Sequence, residues 1–343
     1  MAHELEMRDG RYSFAFTGDR GNIWHKLGQE LPANADRGEW LRAAGFDYSV
    51  AKVMALASLQ GPMFDHIEPS QRFKETDQRF LVREDNGHVL GFASDGYQVV
   101  QPADVWEWFE TYITADDRFH IDAAGVLHSG EKLWMTARFN GGVDVAGDHH
   151  IPRLLMSTSF DCSQPTINQA TMTRVVCQNT MRVAHSDKRA AIRTRHSTKF
   201  AGQVVARELA QIAQSFADYK VMGDAMAQAP VTKGEVSEFF KEILEIPFDA
   251  RQADVSTRKL NIHADLSRAY SKTKIERNTN TDDAWTALQA VTRYVDYDRT
   301  VRNADNDTVG RFDSGTWGSG DALKGKAMGI LLPRVKDKVL LPV

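Results

Sequence analysis

Residues 171–207 read TMTRVVCQNTMRVAHSDKRAAIRTRHSTKFAGQVVAR. An apolar, strand-like run gives way to a segment dense in positive charge, which then enters a long amphipathic helix. Eight basic residues fall here (Arg174, Arg182, Lys188, Arg189, Arg193, Arg195, Lys199 and Arg207) against a single acid, Asp187. The stretch divides the chain into two kinds of sequence. Upstream, strand signals dominate; downstream, apolar residues recur at helical spacing.

Upstream, Asp36-Arg-Gly-Glu39 is a capping box opening a helix through Ala44, and a strand follows from Tyr48 to Leu56. Asp85-Asn86-Gly87 between Arg79–Glu84 and His88–Ser94 signals a hairpin, with Asn-Gly supplying the positive φ angles of a tight type I′ turn. Pro102 starts an aromatic helix carrying Val105, Trp106, Trp108, Phe109, Tyr112 and Ile113, read as core packing. Strands are expected at Val126–His128, Leu133–Phe139, Leu154–Phe160 and Ile167–Val176.

Downstream, Ser197-Thr198 serve as N-caps for a helix whose Val205, Leu209, Ile212, Phe216 and Tyr219 form a heptad-like seam. That seam suits packing on the sheet or on a neighbouring subunit. Thr232-Lys-Gly-Glu235 is a second capping box, for a helix to Leu244, and Trp285, Leu288, Val291 and Val295 mark another helix. The fold class expected is α+β: an antiparallel β-sheet core with packed helices in the N-terminal half (residues 1–196), then a mainly helical part (197–343) packing on it.

The net charge of −4 hides an asymmetry. Residues 1–150 carry 14 basic and 24 acidic side chains, and 151–343 carry 28 and 22, so the halves are −10 and +6. A basic face on an acidic protein suits a polyanion partner. No apolar run approaches the roughly 20 residues of a membrane span, and MAHELEMRDGRYSF lacks a secretory apolar region, so a cytoplasmic protein without a membrane partner is expected. Two cysteines, Cys162 and Cys177, support neither a disulfide framework nor a cysteine zinc site.

Gly320-Asp-Ala-Leu-Lys-Gly-Lys326 matches seven positions of the P-loop, but Ala327 removes the hydroxyl for Mg²⁺ and Phe312–Ser319 reads as a polar loop instead of a buried strand. The expected local structure is a loop running into a short helix, with Lys324 and Lys326 exposed. Asp144, Asp148, His149 and His150 lack the pattern of a metal site, and no nucleophile elbow, His-Glu-x-x-His or Cys-x-x-Cys motif occurs. No enzyme activity, cofactor or metal is therefore expected.

The eight basic residues are the candidate nucleic-acid site, because arginine forks bind phosphate oxygens bidentately and phosphate neutralisation supplies sequence-independent affinity. The helix start at Ser197 adds its partial positive charge. Asn168 and Gln169 are candidates for sugar or phosphate contact from a neighbouring strand, with Phe160 and Phe200 as stacking candidates.

Trp24-His25-Lys26-Leu27-Gly28, Gly96-Tyr97-Gln98-Val99-Val100-Gln101, Arg174-Val-Val-Cys177-Gln-Asn179-Thr180 and Trp317-Gly-Ser-Gly-Asp-Ala-Leu-Lys324 together resemble the phage/plasmid-like protein family, a domain-of-unknown-function family of bacteriophages and mobile plasmids. The resemblance covers nearly the whole chain and implies a mobile-element protein in a bacterial cytoplasm. A sheet backed by a helix and followed by a basic element is also similar, in architecture alone, to Rad52-type single-strand annealing proteins, which form rings around a basic groove. The function expected is non-enzymatic, sequence-independent binding of single-stranded DNA by a homo-oligomer, promoting annealing or recombination. The alternative is a protein-interaction module, such as an inhibitor of a host defence or regulatory protein, meeting a host protein partner through its acidic half.

Overall fold

The computed structural model describes residues 6–8, 10–18, 28–114, 116–174, 179–182, 191–194, 205–301 and 307–336. The chain opens with the antiparallel pair β1 (Met7–Arg8) and β2 (Arg11–Tyr12), then β3 (Phe14–Thr17) and β4 (Gln29–Leu31), which pair in parallel. Helix α1 (Arg37–Ala44) begins at the capping box, in which the Glu39 N–H donates to the Asp36 carboxylate and the Asp36 N–H donates to Glu39, each at 2.8 Å. It ends at Gly45, whose φ of 79° and approach to Ser13 leave no room for a Cβ.

Strands β5 (Val50–Ser58), β6 (Phe73–Arg83) and β7 (Val89–Ser94) form a separate three-stranded antiparallel sheet. The hairpin between β6 and β7 is present, but its turn is not the two-residue type I′ expected. Arg83 N–H bonds to the His88 carbonyl and Gly87 N–H to the Arg83 carbonyl, enclosing a four-residue loop in which only Gly87 takes a positive φ. Asn86 instead accepts the His88 N–H on its side-chain oxygen at 2.9 Å, a local side-chain bond that stabilises the wider turn.

Helix α2 (Pro102–Thr114) starts at the proline, and Val105, Trp106, Phe109, Tyr112 and Ile113 are all buried. Each large apolar side chain buried this way contributes about 1.5–3 kcal/mol. Seven strands follow: β8 (Phe119–Leu127), β9 (Lys132–Phe139), β10 (Val143–Val145), β11 (Asp148–Ser159), β12 (Thr166–Arg174), β13 (Asn179–Arg182) and β14 (Ala191–Thr194). With β3 and β4 they make a nine-stranded sheet in the order β13-β12-β11-β9-β8-β3-β4, with β10 beside β11 and β14 beside β12. Both β13 and β14 use the same edge of β12, the first along Thr171–Arg174 and the second along Thr166–Gln169.

One face of this sheet joins the main core, where Met135, Leu154, Met156, Ala170 and Met172 are packed with residues of α1 and α2. The other face carries a second cluster, Phe14, Phe16, Ala123, Leu127, Trp134 and Leu155, against which Tyr12 and Trp317 pack. Gly125 sits beneath the Trp134 ring, and a Cβ there would lie 3.1 Å from it.

The remainder is helical: α3 (Val205–Gln228), α4 (Lys233–Ile243), α5 (Thr257–Glu276), α6 (Ala284–Arg293) continuing into a π turn at Tyr294–Asp298, α7 (Asp307–Thr316) and α8 (Ser319–Lys336). The fold is α+β, strand-rich in its first half and helical in its second. Of the expected seam, Ile212, Phe216 and Tyr219 of α3 are buried in the main core of the chain itself, and the side chains of Val205 and Leu209 lie outside the described residues. That core runs without a break from Ala15 to Val335, through both parts of the chain. The two parts are also pinned by Arg277, which donates to Asp148 on β11 at 3.1 Å and to Asp283 at 2.9 Å, all three buried.

The P-loop-like stretch is helical, and its lysines are not exposed as expected. Residues 307–316 are helical, residues 319–336 form α8, and Lys324 is buried with its Nζ 2.5 Å from the equally buried Asp296 of the π turn. Lys326 is half-buried and pairs with Glu245 at 2.5 Å. The expectation failed because Asp296 lies 28 residues upstream, and only the packing of α8 on the π turn brings it to Lys324. No helix among the described residues is long and apolar enough to cross a membrane.

Candidate nucleic-acid interface

Residues paired across neighbouring strands lie side by side on one face of a sheet. Through the ladders of the large sheet, His120 on β8 stands opposite Arg138 on β9, Arg138 opposite Arg153 on β11, Arg153 opposite Thr171 on β12, and Thr171 opposite Arg182 on β13. Four of these five positions are basic. At about 4.8 Å between strands, the row extends about 19 Å across the sheet.

Two parallel rows on the same face have a different chemistry. Phe16, Ala123, Thr136, Leu155, Gln169 and Ala191 are in register with one another, as are Phe14, Gly125, Trp134, Ser157, Ile167 and Arg193. This face therefore grades from an apolar, aromatic middle to a basic margin. Trp317, from the α7–α8 junction, donates its indole N–H to Ser157 at 2.9 Å and so anchors the helical part to the same face.

Like charges set directly opposite on a sheet destabilise it unless something neutralises them. Arg153 is neutralised by Asp122, whose carboxylate is 2.7 Å from its Nε and accepts the Thr136 hydroxyl at 2.5 Å. The β8–β9 register shifts between Ile121 and Ala123, and this bulge lets the extra residue, Asp122, turn its carboxylate toward Thr136 and Arg153. Arg138 has no such partner: it is exposed and makes no hydrogen bond or ion pair among the described residues. Nearby Arg118 is engaged, and its hydrogen bonds hold the Asp116 carboxyl below its ordinary range.

At the β8 end of the row a cleft of about 490 Å³ opens between the end of α2 and the ends of β8 and β9. His120, Arg138, Arg153 and Asp122 reach it from the sheet, and Glu110 from α2.

The residues singled out from the sequence separate in space. Arg182 belongs to the basic row, and Arg193 extends the row of Trp134 and Ser157, whereas Arg174 stands opposite His150, which is buried on the helix-covered face. Arg207 lies on α3. Asn168 and Gln169 are in register with Met156 and Leu155, and both are buried, each with a side-chain oxygen that has no hydrogen-bond partner among the described residues. Phe160 is buried in the main core. Lys188, Arg189, Arg195, Lys199, Cys177, Phe200 and the caps at Ser197-Thr198 lie outside the described residues.

Sequence reasoning missed His120, Asp122, Arg138 and Arg153. They are scattered over three strands, and only the pairing register makes them neighbours. The available signal was that a basic side chain interrupts both KLWMTARF and HIPRLLM.

The family model described as Domain of unknown function (DUF932) matches residues 89–315. The chain belongs to this family. No curated protein and no solved structure matches it. The DUF932 match begins at the first residue of β7 and ends in α7, so it includes His120, Asp122, Arg138, Arg153, Arg182 and Arg193. Strands β5 and β6 lie outside it.

Of the motifs first noted in this DUF932 chain, several have structural work. Gln101 closes the start of β5, accepting the Val50 N–H at 2.8 Å and donating to the Val50 carbonyl at 3.0 Å, as a neighbouring strand would. Gly28, with a φ of 94°, presses against Phe14, and Trp317 to Lys324 supplies the indole anchor and the buried ion pair. Asn179-Thr180 begin β13, which packs against α6, α7 and α8.

Proposed function

We propose that this DUF932 protein is a non-enzymatic, sequence-independent DNA-binding protein of a phage or plasmid, which holds single-stranded DNA and promotes annealing or recombination in the bacterial cytoplasm. The observation that carries the reading is the cross-strand row His120–Arg138–Arg153–Thr171–Arg182, interrupted at the buried Thr171, with an arginine at Arg138 that is exposed and has no partner among the described residues. At the duplex rise of about 3.4 Å per phosphate along one strand, a row of about 19 Å spans about five to six phosphates, and fewer where the strand is extended. Basic side chains at strand spacing meet phosphates without reading bases, so binding is electrostatic and indifferent to sequence. By analogy with Rad52-type annealing proteins, the reading extends to a homo-oligomer, with a ring as the expected form.

The test is fluorescence anisotropy of a labelled single-stranded oligonucleotide at low and moderate salt, with a duplex of equal length in parallel. Strongly salt-dependent binding that favours the single strand supports the reading. No binding at low salt removes it.

A second reading, a protein-interaction module that meets a host defence or regulatory protein, is favoured by a different surface. The outer face of the small sheet sets Val53 opposite Phe80 and Phe80 opposite Phe92, with Val53 and Phe92 40% and 59% exposed. Exposed apolar patches of this kind mark interaction sites. Retention of host protein from a nuclease-treated lysate, lost in Phe92→Ser, selects this reading over the first.

A further inference from the structure

The cleft at the β8 end of the row holds two opposite charges that do not meet. Arg138 and Glu110 both line it, neither makes a hydrogen bond or ion pair among the described residues, and they are not paired with each other. The surrounding charges behave otherwise: Arg153 is paired with Asp122, Arg118 with Asp116, and Arg37 with Glu107. Ile113 and Phe119 also line the cleft and give it apolar surface beside these two groups. A volume of about 490 Å³ is far larger than a lone anion needs and falls in the range of small-molecule sites.

We propose that this cleft takes a single nucleotide bearing an exocyclic amino group, with its phosphate on Arg138 and its base amine on Glu110. The inference rests on the reading of the basic row as a phosphate track, because the row delivers a strand to Arg138. Arginine binds phosphate oxygens through a planar fork, and a carboxylate accepts the exocyclic amine of cytosine, a donor that thymine lacks. The base lies against the apolar surface of Ile113 and Phe119, where its faces lose water. Arg153 is held back by Asp122, so Arg138 is the guanidinium free for the ligand. The shared chemistry is a phosphomonoester on an amino-bearing nucleoside, whether a free nucleotide or the 5′ end of a strand.

Isothermal titration of the full chain with dCMP, dTMP, deoxycytidine, inorganic phosphate and glycine tests it, beside anisotropy with 5′-phosphorylated and 5′-hydroxyl oligonucleotides that begin in dC. The expected result is that dCMP binds about tenfold more tightly than dTMP, the value of one good base contact. Deoxycytidine and phosphate alone bind weakly. Arg138→Gln reduces dCMP affinity about tenfold, and Glu110→Gln levels dCMP with dTMP. A 5′-phosphate that raises oligonucleotide affinity identifies the strand end as the source; no difference, with dCMP still bound, identifies the free nucleotide.

Equal affinity for dCMP and dTMP in the unmodified chain overturns the proposal, as does glycine binding as tightly as dCMP. If the long single strand binds and no mononucleotide does, the cleft assignment fails and the basic row stands. If dCMP binds and the strand does not, the row fails and the cleft stands.

Discussion

The two sheets invert the usual distribution of side chains in opposite senses. In the nine-stranded sheet, β12 buries Thr166, Asn168, Gln169, Thr171 and Thr173 among its apolar neighbours. In the three-stranded sheet the inner residues Val50, Leu81, Leu90 and Ala93 are buried, yet Val53, Val89 and Phe92 face solvent. Polar groups inside cost stability unless bonded, and apolar groups outside contribute none. Departures from what folding alone requires concentrate at functional surfaces, and the proposed function assigns the ligand-facing rows to the large sheet and, in its second reading, an association face to the small sheet.

The seam between the sheets decides whether they are one structural unit, and the largest expected effect lies there. Arg83 is fully buried, donates to Glu6 at 2.6 Å, to Asp85 at 2.7 Å and to the Ser129 carbonyl at 2.9 Å, and stacks 4.0 Å from the Tyr48 ring centroid. Arg83→Ala leaves the buried Glu6 carboxylate with Arg8 alone, 3.1 Å away, and leaves the Ser129 carbonyl without its donor, and is expected to remove about 3 kcal/mol of stability in denaturant titration. A loss below about 1 kcal/mol means the sheets do not depend on this joint.

Gly91 of β7 lies in the same seam, where a Cβ would stand 2.6 Å from the Phe160 carbonyl oxygen and 2.7 Å from the Asp161 Cα. Gly91→Val must part the two sheets, at an expected cost of about 1–3 kcal/mol. Unchanged thermal unfolding of that variant would show that the sheets are free to separate without cost.

Within the large sheet, Trp317→Phe keeps most of the ring but loses the hydrogen bond to Ser157. The expected loss is about 1 kcal/mol. Phe92→Ser on the small sheet should leave stability within about 0.5 kcal/mol while removing the host-protein retention that the second reading expects. Destabilisation by Phe92→Ser comparable to that of Gly91→Val would erase the distinction between the inner and outer faces.

What could be read from the sequence was local. Asp36 with Glu39 and Thr232 with Glu235 cap their helices as expected, because each box lies within four residues. Pro102 starts α2 for the same reason. The Asn86-Gly87 hairpin was legible as a hairpin but not as a turn type, since the outcome depends on whether Asn86 spends its side chain on the His88 N–H. Burial of Lys324 was illegible because Asp296 meets it only through packing of distant helices. The basic row was illegible for a similar reason: His120, Arg138, Arg153 and Arg182 are 15 to 29 residues apart in sequence and become neighbours only once register is set.

The central claim is that this row carries the phosphate backbone. Its most direct test is the salt dependence of single-strand affinity for the unmodified chain and for Arg138→Ala/Arg182→Ala, plotted as log affinity against log salt concentration. Each lost phosphate contact reduces the slope by about 0.7 on a single strand, so the double variant should bind more weakly with a slope reduced by about 1.4. An unchanged slope and affinity would contradict the account and leave the row a solvated margin of the sheet.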